Sequence, residues 1–263
     1  MNFGRLGQSA FGAVVLLLSA GCSSSPPATG PWTGSLAQVR AVWSAEQGID
    51  LLTGPAVAVR AYLESFVLAS KTGDIDDAYP GFQQAVDTNA PTAKSAWPWP
   101  TTLQPVPHPI VGTYRFHILR IDTIGHQVNA VVCDWGYGAA FDLGDGKYGT
   151  GLNQPADGIS VEWIAMTVPG EGGAKSPLPP QKGPAPAPAN DVFAGWRIGG
   201  HLVVAATDPT VRDPSEWPSQ LTDAQQCQAK APDPADRRQF LTAGVHSRSD
   251  YPTLTADPGW PAD

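Results

Sequence analysis

The stretch YRFHILRIDTIGHQVNAVVCDW, Tyr114–Trp135, decides the fold class. Two runs rich in Val, Ile, Tyr and Phe flank Asp122-Thr123-Ile124-Gly125. Such side chains favour a pleated, half-buried surface and a Gly-containing connection supplies the reversal, so the segment predicts a long antiparallel hairpin. In its second arm Val128, Ala130 and Val132 face one way, and Gln127 and Asn129 the other. In its first arm Ile118 and Leu119 are adjacent and both apolar. That break in the alternation predicts a bulge or burial on both faces.

Working outward on the N-terminal side, Gly34 to Gly48 places Leu36, Val39, Val42 and Trp43 at helical spacing behind a possible Ser35 cap, which predicts a helix. Gly54-Pro55 opens a second and stronger helix, since proline is tolerated where its missing N–H would be unpaired anyway. Val59, Tyr62, Leu63, Phe66 and Val67 form its expected inner face, with Arg60, Glu64 and Lys71 expected outward and Gly73 ending it. Asp74 to Asp87 carries a third inner face and splits into two short pieces at Pro80. From Asn89 to Pro109 the chain is polar and proline-studded, and Trp97-Pro98-Trp99-Pro100 reads as a cap on the core.

On the C-terminal side, Asp145-Gly146 marks a favoured two-residue turn. Ile159 to Val168 predicts a strand, and Phe193 to Ala206 another, broken at Gly199-Gly200. Between them the low-complexity segment 169–190 predicts a disordered, exposed loop. Residues 207–263 read as a proline-rich tail docked on the domain, with a weak helical patch from Ser219 to Lys230.

Composition narrows the function classes. The 27 prolines and 28 glycines among 263 residues lie well above the roughly 12% usual for the pair, so a packed centre is wrapped in irregular chain. A net charge of −8 without a basic stripe argues against nucleic acid. No nucleophile elbow, phosphate loop or zinc helix occurs, the five histidines are scattered, and Asp142, Asp145 and Asp157 read as turn residues. Neither a metal site nor a cofactor is expected.

Arg5, the apolar run Phe11 to Leu18 and the small residues Ser19-Ala20-Gly21 predict a signal peptide over 1–21. Ala20-Gly21-Cys22 resembles the lipobox of bacterial lipoproteins, with Leu18 one place early, and Ser23-Ser24-Ser25-Pro26-Pro27 reads as a tether within 22–34. The resemblance implies lipidation of Cys22 and attachment to the extracytoplasmic face of the cell membrane. Cys133 and Cys227 then remain as an even pair in an oxidising compartment, which predicts a disulfide.

The order of elements over 35–206, with Gly195-Trp196-Arg197-Ile198 near the end, resembles the NTF2-like (SnoaL-type) α+β fold. That resemblance implies N-terminal helices packed on a curved antiparallel sheet that forms a cone. The leader and the alanine-, glycine- and proline-rich composition are similar to those of mycobacterial secreted lipoproteins. Pocket candidates are Tyr62, Phe66, Tyr114, Phe116 and Trp196, around a cavity expected to be mainly apolar with few charges. Enzymes of the superfamily use an Asp or His inside the cone, for which Asp122, Asp134, His117 and Tyr62 are candidates here. No general base is assigned among them. The leading expectation is therefore a non-catalytic envelope module for a small apolar molecule or a partner protein. An isomerase- or cyclase-type enzyme and a purely structural envelope protein are the alternatives.

The leader generates one prediction. Cys22→Ala is expected to block processing or to release the protein from the detergent phase; unchanged cleavage and unchanged membrane attachment would contradict lipidation.

Overall fold

The computed structural model describes residue 1 and residues 31–86, 96–100, 103–151, 156–170, 178–209 and 214–262. The signal peptide, Cys22 and most of the tether lie outside the described residues.

The hairpin forms β2 (Ile110–Ile124) and β3 (Gln127–Trp135), reversing at Gly125, whose φ is 61°. Their register runs His117↔Cys133 and Ile118↔Val132, then resumes at Arg120↔Val131. Leu119 is thus a bulge residue, and the parity of the strand changes there. Phe116 and Ile118 face one core, Leu119 is buried in a second core on the other face, and Ile121 returns to the first. Both faces of the hairpin are covered.

The remaining strands extend this pair. β6 (Ile159–Thr167) runs antiparallel to β3, and β7 (Arg197–Ala205) antiparallel to β6. β4 (Ala139–Asp142) pairs with the start of β2, and β5 (Tyr148–Gly149) with β4 across a turn in which Asp145 and Gly146 both have positive φ. At Gly112, opposite Ala139, φ is 107° and an added Cβ would stand 2.2 Å from the Gly138 carbonyl oxygen, so only glycine fits that approach. The Gly199-Gly200 step is a bulge within β7 and not a break, since Ala165 pairs with Gly200 and Met166 with Ile198. The curled, largely antiparallel sheet makes a half-barrel, and with the helices the class is α+β.

Three expectations are corrected. The helix expected over 34–48 is instead β1 (Gln38–Ala45), which runs parallel to β2 from Gln38↔Val111 to Ala45↔Ile118. Val39, Ala41 and Trp43 are buried at period two, a pattern hidden by the helical spacing of Leu36, Val39 and Val42. The strand satisfies the edge of β2 that would otherwise be unpaired, so tertiary pairing overrides local periodicity. The following helix, α1 (Gly54–Thr72), is the crossover that a parallel pair requires.

The second correction concerns the outward face of α1. Its start at Pro55 and its end at Gly73, in the left-handed conformation, follow the sequence. Arg60 and Glu64, however, are 0% and 2% exposed. The loop 169–190 is the third correction, because residues 178–190 are ordered against the core and only 171–177 lie outside the described residues. Gln181 donates its N–H to the Leu52 carbonyl, and Ala185 pairs with Trp260 near the C-terminus. This strap and the final residues cover the side of α1 that sequence leaves polar.

The covered charges meet several fixed partners, although Arg60 Nε has none among the described residues. Arg60 donates to the carbonyls of Leu51, Gln181, Pro258 and Gly259 at 2.7–3.2 Å, and its guanidinium lies 4.2 Å from the Trp260 ring centroid. Glu64 accepts from the Trp43 and Trp260 indoles and from the Tyr79 hydroxyl, at 2.7, 3.1 and 2.5 Å. Burial raises the Glu64 pKa, against the pull of Arg60 and these donors.

On the outer face, α3 (Gln220–Ala229) forms where the weak helical patch lies, and α4 (Ala235–Thr242) follows it. Cys133 and Cys227 are disulfide-bonded, with a Cα–Cα distance of 5.3 Å, and Trp217 and Tyr251 fill the surrounding core. Arg120, turned outward just past the bulge, donates to the buried Asp223 of α3.

Removing the Arg60 guanidinium leaves the carbonyls it serves without that donor and Glu64 without a charge that opposes its burial. Arg60→Met is expected to lower stability by about 3–5 kcal/mol. Truncating the half-exposed Arg237 of its pair with Asp250 is expected to cost roughly 0–1 kcal/mol in the same denaturant titration. Equal effects would show that the strap is not held as described.

Candidate functional site

Under the C-terminal half of α1 the inner face of the sheet is not filled. A cavity of about 220 Å³ opens there between Leu63, Phe66, Val67, Ser70 and Lys71 of α1 and Tyr114, Asp134, Ser160, Glu162, His201 and Val203 of the sheet. Strand parity explains the set. Asp134 pairs with Ser160, and Val132 with Glu162, so Asp134, Ser160 and Glu162 sit on the inner face with the core residues Val132 and Ile164. The sheet therefore changes from apolar to polar toward this end of the helix.

Sequence pointed here to Phe66 and Tyr114, which line the cavity, and to Asp134. The other pocket candidates do not line it. Tyr62 is buried beneath it, with its hydroxyl donating to the Pro98 carbonyl at 2.7 Å and its ring edge-on to His201 at 5.3 Å. Phe116 stacks on Trp43 at 4.6 Å within the core, and Trp196 packs half-buried against that core. Of the acid–base candidates, Asp122 is exposed and bonded to Arg120 at the outer rim. His117 lies on the outer face, where its ring joins Ser44 and Glu46 at 2.9 Å each and stacks on Trp135. Lys230 also meets Glu46 at 2.6 Å, so this chain of contacts ties β1 and β2 to the end of α3. It lines none of the cavities described here.

The cavity surface is mainly apolar, as expected, but the expectation of few charges is corrected by its titratable lining. Glu162 and His201 are buried and bonded to each other at 2.7 Å, with Phe66 edge-on to the imidazole at 4.8 Å. Asp134 is half-buried as a residue, but its Oδ1 is sealed from solvent and has no hydrogen-bond partner among the described residues. Desolvation, followed by repulsion from Glu162, holds its pKa well above the usual carboxylate range, and Lys71 opposes this. Burial lowers the Lys71 pKa, with Asp134 pulling the other way. Tyr114 is pushed up, chiefly by burial and then by Asp134.

Three of these groups escaped the sequence reading. Glu162 shares a two-residue period with Ile164 and Met166, so a carboxylate on a core-facing row was the available signal. His201 follows the β7 bulge, which hides its face. Lys71 lies one and two turns from Val67 and Leu63, on the stripe facing the sheet. Among the described residues no group of three or more His, Cys, Asp or Glu side chains could hold a metal ion.

No protein-family model, curated protein or solved structure matches the chain.

A carboxyl with a raised native pKa binds its proton more tightly folded than unfolded. Its contribution favours folding at low pH and is lost as pH rises from the unfolded value through the native one. Asp134→Asn should therefore gain stability relative to the wild type as pH is raised from about 4 to about 8. Parallel stability curves would contradict a raised Asp134 pKa.

Proposed function

We propose that this chain is a small-molecule-binding module of the cell envelope, carried there by a lipid at Cys22, with an NTF2-like domain as its body. The cavity beneath α1 carries the reading. Its space exceeds the roughly 150 Å³ that suffices for a benzene ring, so a compact organic molecule of one or two rings fits. Leu63, Phe66, Val67 and Val203 offer an apolar wall, and Asp134, Ser160 and Ser70 offer hydrogen bonds at the other side. Mixed walls of this kind bind molecules with an apolar body and at least one polar group, and the polar groups fix orientation. A purely hydrocarbon occupant would leave Asp134 without a partner, at a cost of about 1–3 kcal/mol.

A second reading, acid–base catalysis of the isomerase or cyclase type, is favoured by one specific arrangement. A carboxyl whose charged form is disfavoured by burial stands in the same cavity as a buried Glu162–His201 pair. Groups whose protonation states are pushed apart in one cleft can divide the donor and acceptor roles of a proton transfer.

The test begins with detergent-extracted native protein. Native mass spectrometry is expected to show a bound small molecule, and Ser70→Phe, which fills the cavity, is expected to lose it. If the occupant is unchanged in that variant, the cavity is not the binding site. Conversion of the isolated molecule on return to the protein, lost in Asp134→Asn, would establish the catalytic reading over simple binding.

A further inference from the structure

Lys71 lines the cavity beneath α1 and also a small adjoining cleft of about 20 Å³ between Tyr114, Phe141 and Thr150. It stands at the junction of the two, in the last turn of α1. Its amine feels Asp134 only at a distance, with no hydrogen bond between them. On the opposite wall, Asp134 Oδ1 is buried and equally unpartnered among the described residues. An amine and a carboxyl thus face one space without satisfying each other.

We propose that Lys71 is a nucleophile that captures carbonyl compounds, forming an imine with an aldehyde or ketone on an apolar body. The proposal rests on the cavity being a small-molecule site and adds the chemical class of what it holds. In the step, the Nζ lone pair forms a bond to the carbonyl carbon, and one proton passes from that nitrogen through solvent to the oxygen to give a neutral carbinolamine. The nitrogen loses a proton to solvent, the hydroxyl leaves as water with a proton from the Asp134 carboxyl, and the C=N bond forms. The sum is amine plus carbonyl giving imine plus water, and solvent returns the proton to Asp134. Burial supports the chemistry, because an amine whose charged form is disfavoured is present more often as the free base. Glu162, His201 and Tyr114 are the other titratable groups facing the same space, and the Glu162–His201 pair leaves Lys71 as the cavity's uncommitted nitrogen.

The experiment uses the full chain, benzaldehyde as probe and cyanoborohydride at neutral pH, with benzylated lysines mapped by peptide mass spectrometry. Lys147 and Lys182 are exposed and serve as internal standards. Lys71 is expected to label at least about tenfold faster than these two, with the excess narrowing as the pH is raised toward the ordinary lysine value of about 10.4. Labelling at or below their rate overturns the proposal. Benzyl alcohol, which has no carbonyl, is followed in parallel by its effect on the amide signals of Phe66, Val67 and Val203. Shifts with benzyl alcohol but no preference at Lys71 remove the imine and leave the binding reading standing. Neither shifts nor preference removes both. Lys71→Met should abolish the fast labelling and retain the benzyl alcohol shifts; loss of both together would mean that the substitution reports on the cavity and not on an amine, and would count against the proposal.

Discussion

The hairpin presents apolar side chains to both sides: β3 alternates between an inner core at Val128, Ala130 and Val132 and an outer one at Val131, Cys133 and Trp135. Leu119, one residue too many for its partner strand, joins the outer set. On β2, Phe116 and Ile118 belong to the inner core. Arg120, just past the bulge, is aimed at Asp223 of α3, and the C-terminal helices acquire a docking surface fixed by the disulfide at Cys133. On the inner side the same sheet curls around α1, whose far flank is closed by the strap and the last residues. The bulge in β2 adds Leu119 and Arg120 to an outer layer that β3, β6 and β7 line with Cys133, Val161 and Val204.

The inner layer is graded along α1. At its N-terminal half charge is tolerated because Arg60 and Glu64 meet fixed partners. At its C-terminal half the packing stops short, and polar groups face space that protein does not fill. Buried polar groups in native structures are nearly all satisfied. Arg60 Nε and Asp134 Oδ1 are both buried without a partner among the described residues, but only Asp134 borders unfilled space, although both ends belong to the layer under one helix.

Much of this was legible in sequence, and the failures have physical causes. The hairpin, α1, the Asp145-Gly146 turn, α3 and the disulfide follow from local pattern, turn chemistry and cysteine parity. β1 was misread because Leu36, Val39, Val42 and Trp43 satisfy a helical period as well as a strand's, and the deciding factor was the unpaired edge of β2. Arg60 and Glu64 were misplaced because their partners are backbone carbonyls and indoles as far as residue 260, which no local window contains. The ordered strap was missed for the same reason. In the cavity Phe66, Tyr114 and Asp134 were recoverable, whereas His201 depended on a bulge at two adjacent glycines that sequence reads only as a break.

The central claim is that burial beside an unfilled cavity disfavours the charged form of Asp134, whose Oδ1 has no partner among the described residues. The most direct measurement is the side-chain carboxyl ¹³C shift of Asp134 followed by NMR through a pH titration of the folded protein. The account predicts a transition displaced well above the usual Asp value of about 3.9 and moved further by Lys71→Met, which removes the cation opposing it. A transition at the ordinary value, indifferent to that substitution, would contradict it and leave the cavity as a solvated gap in the packing.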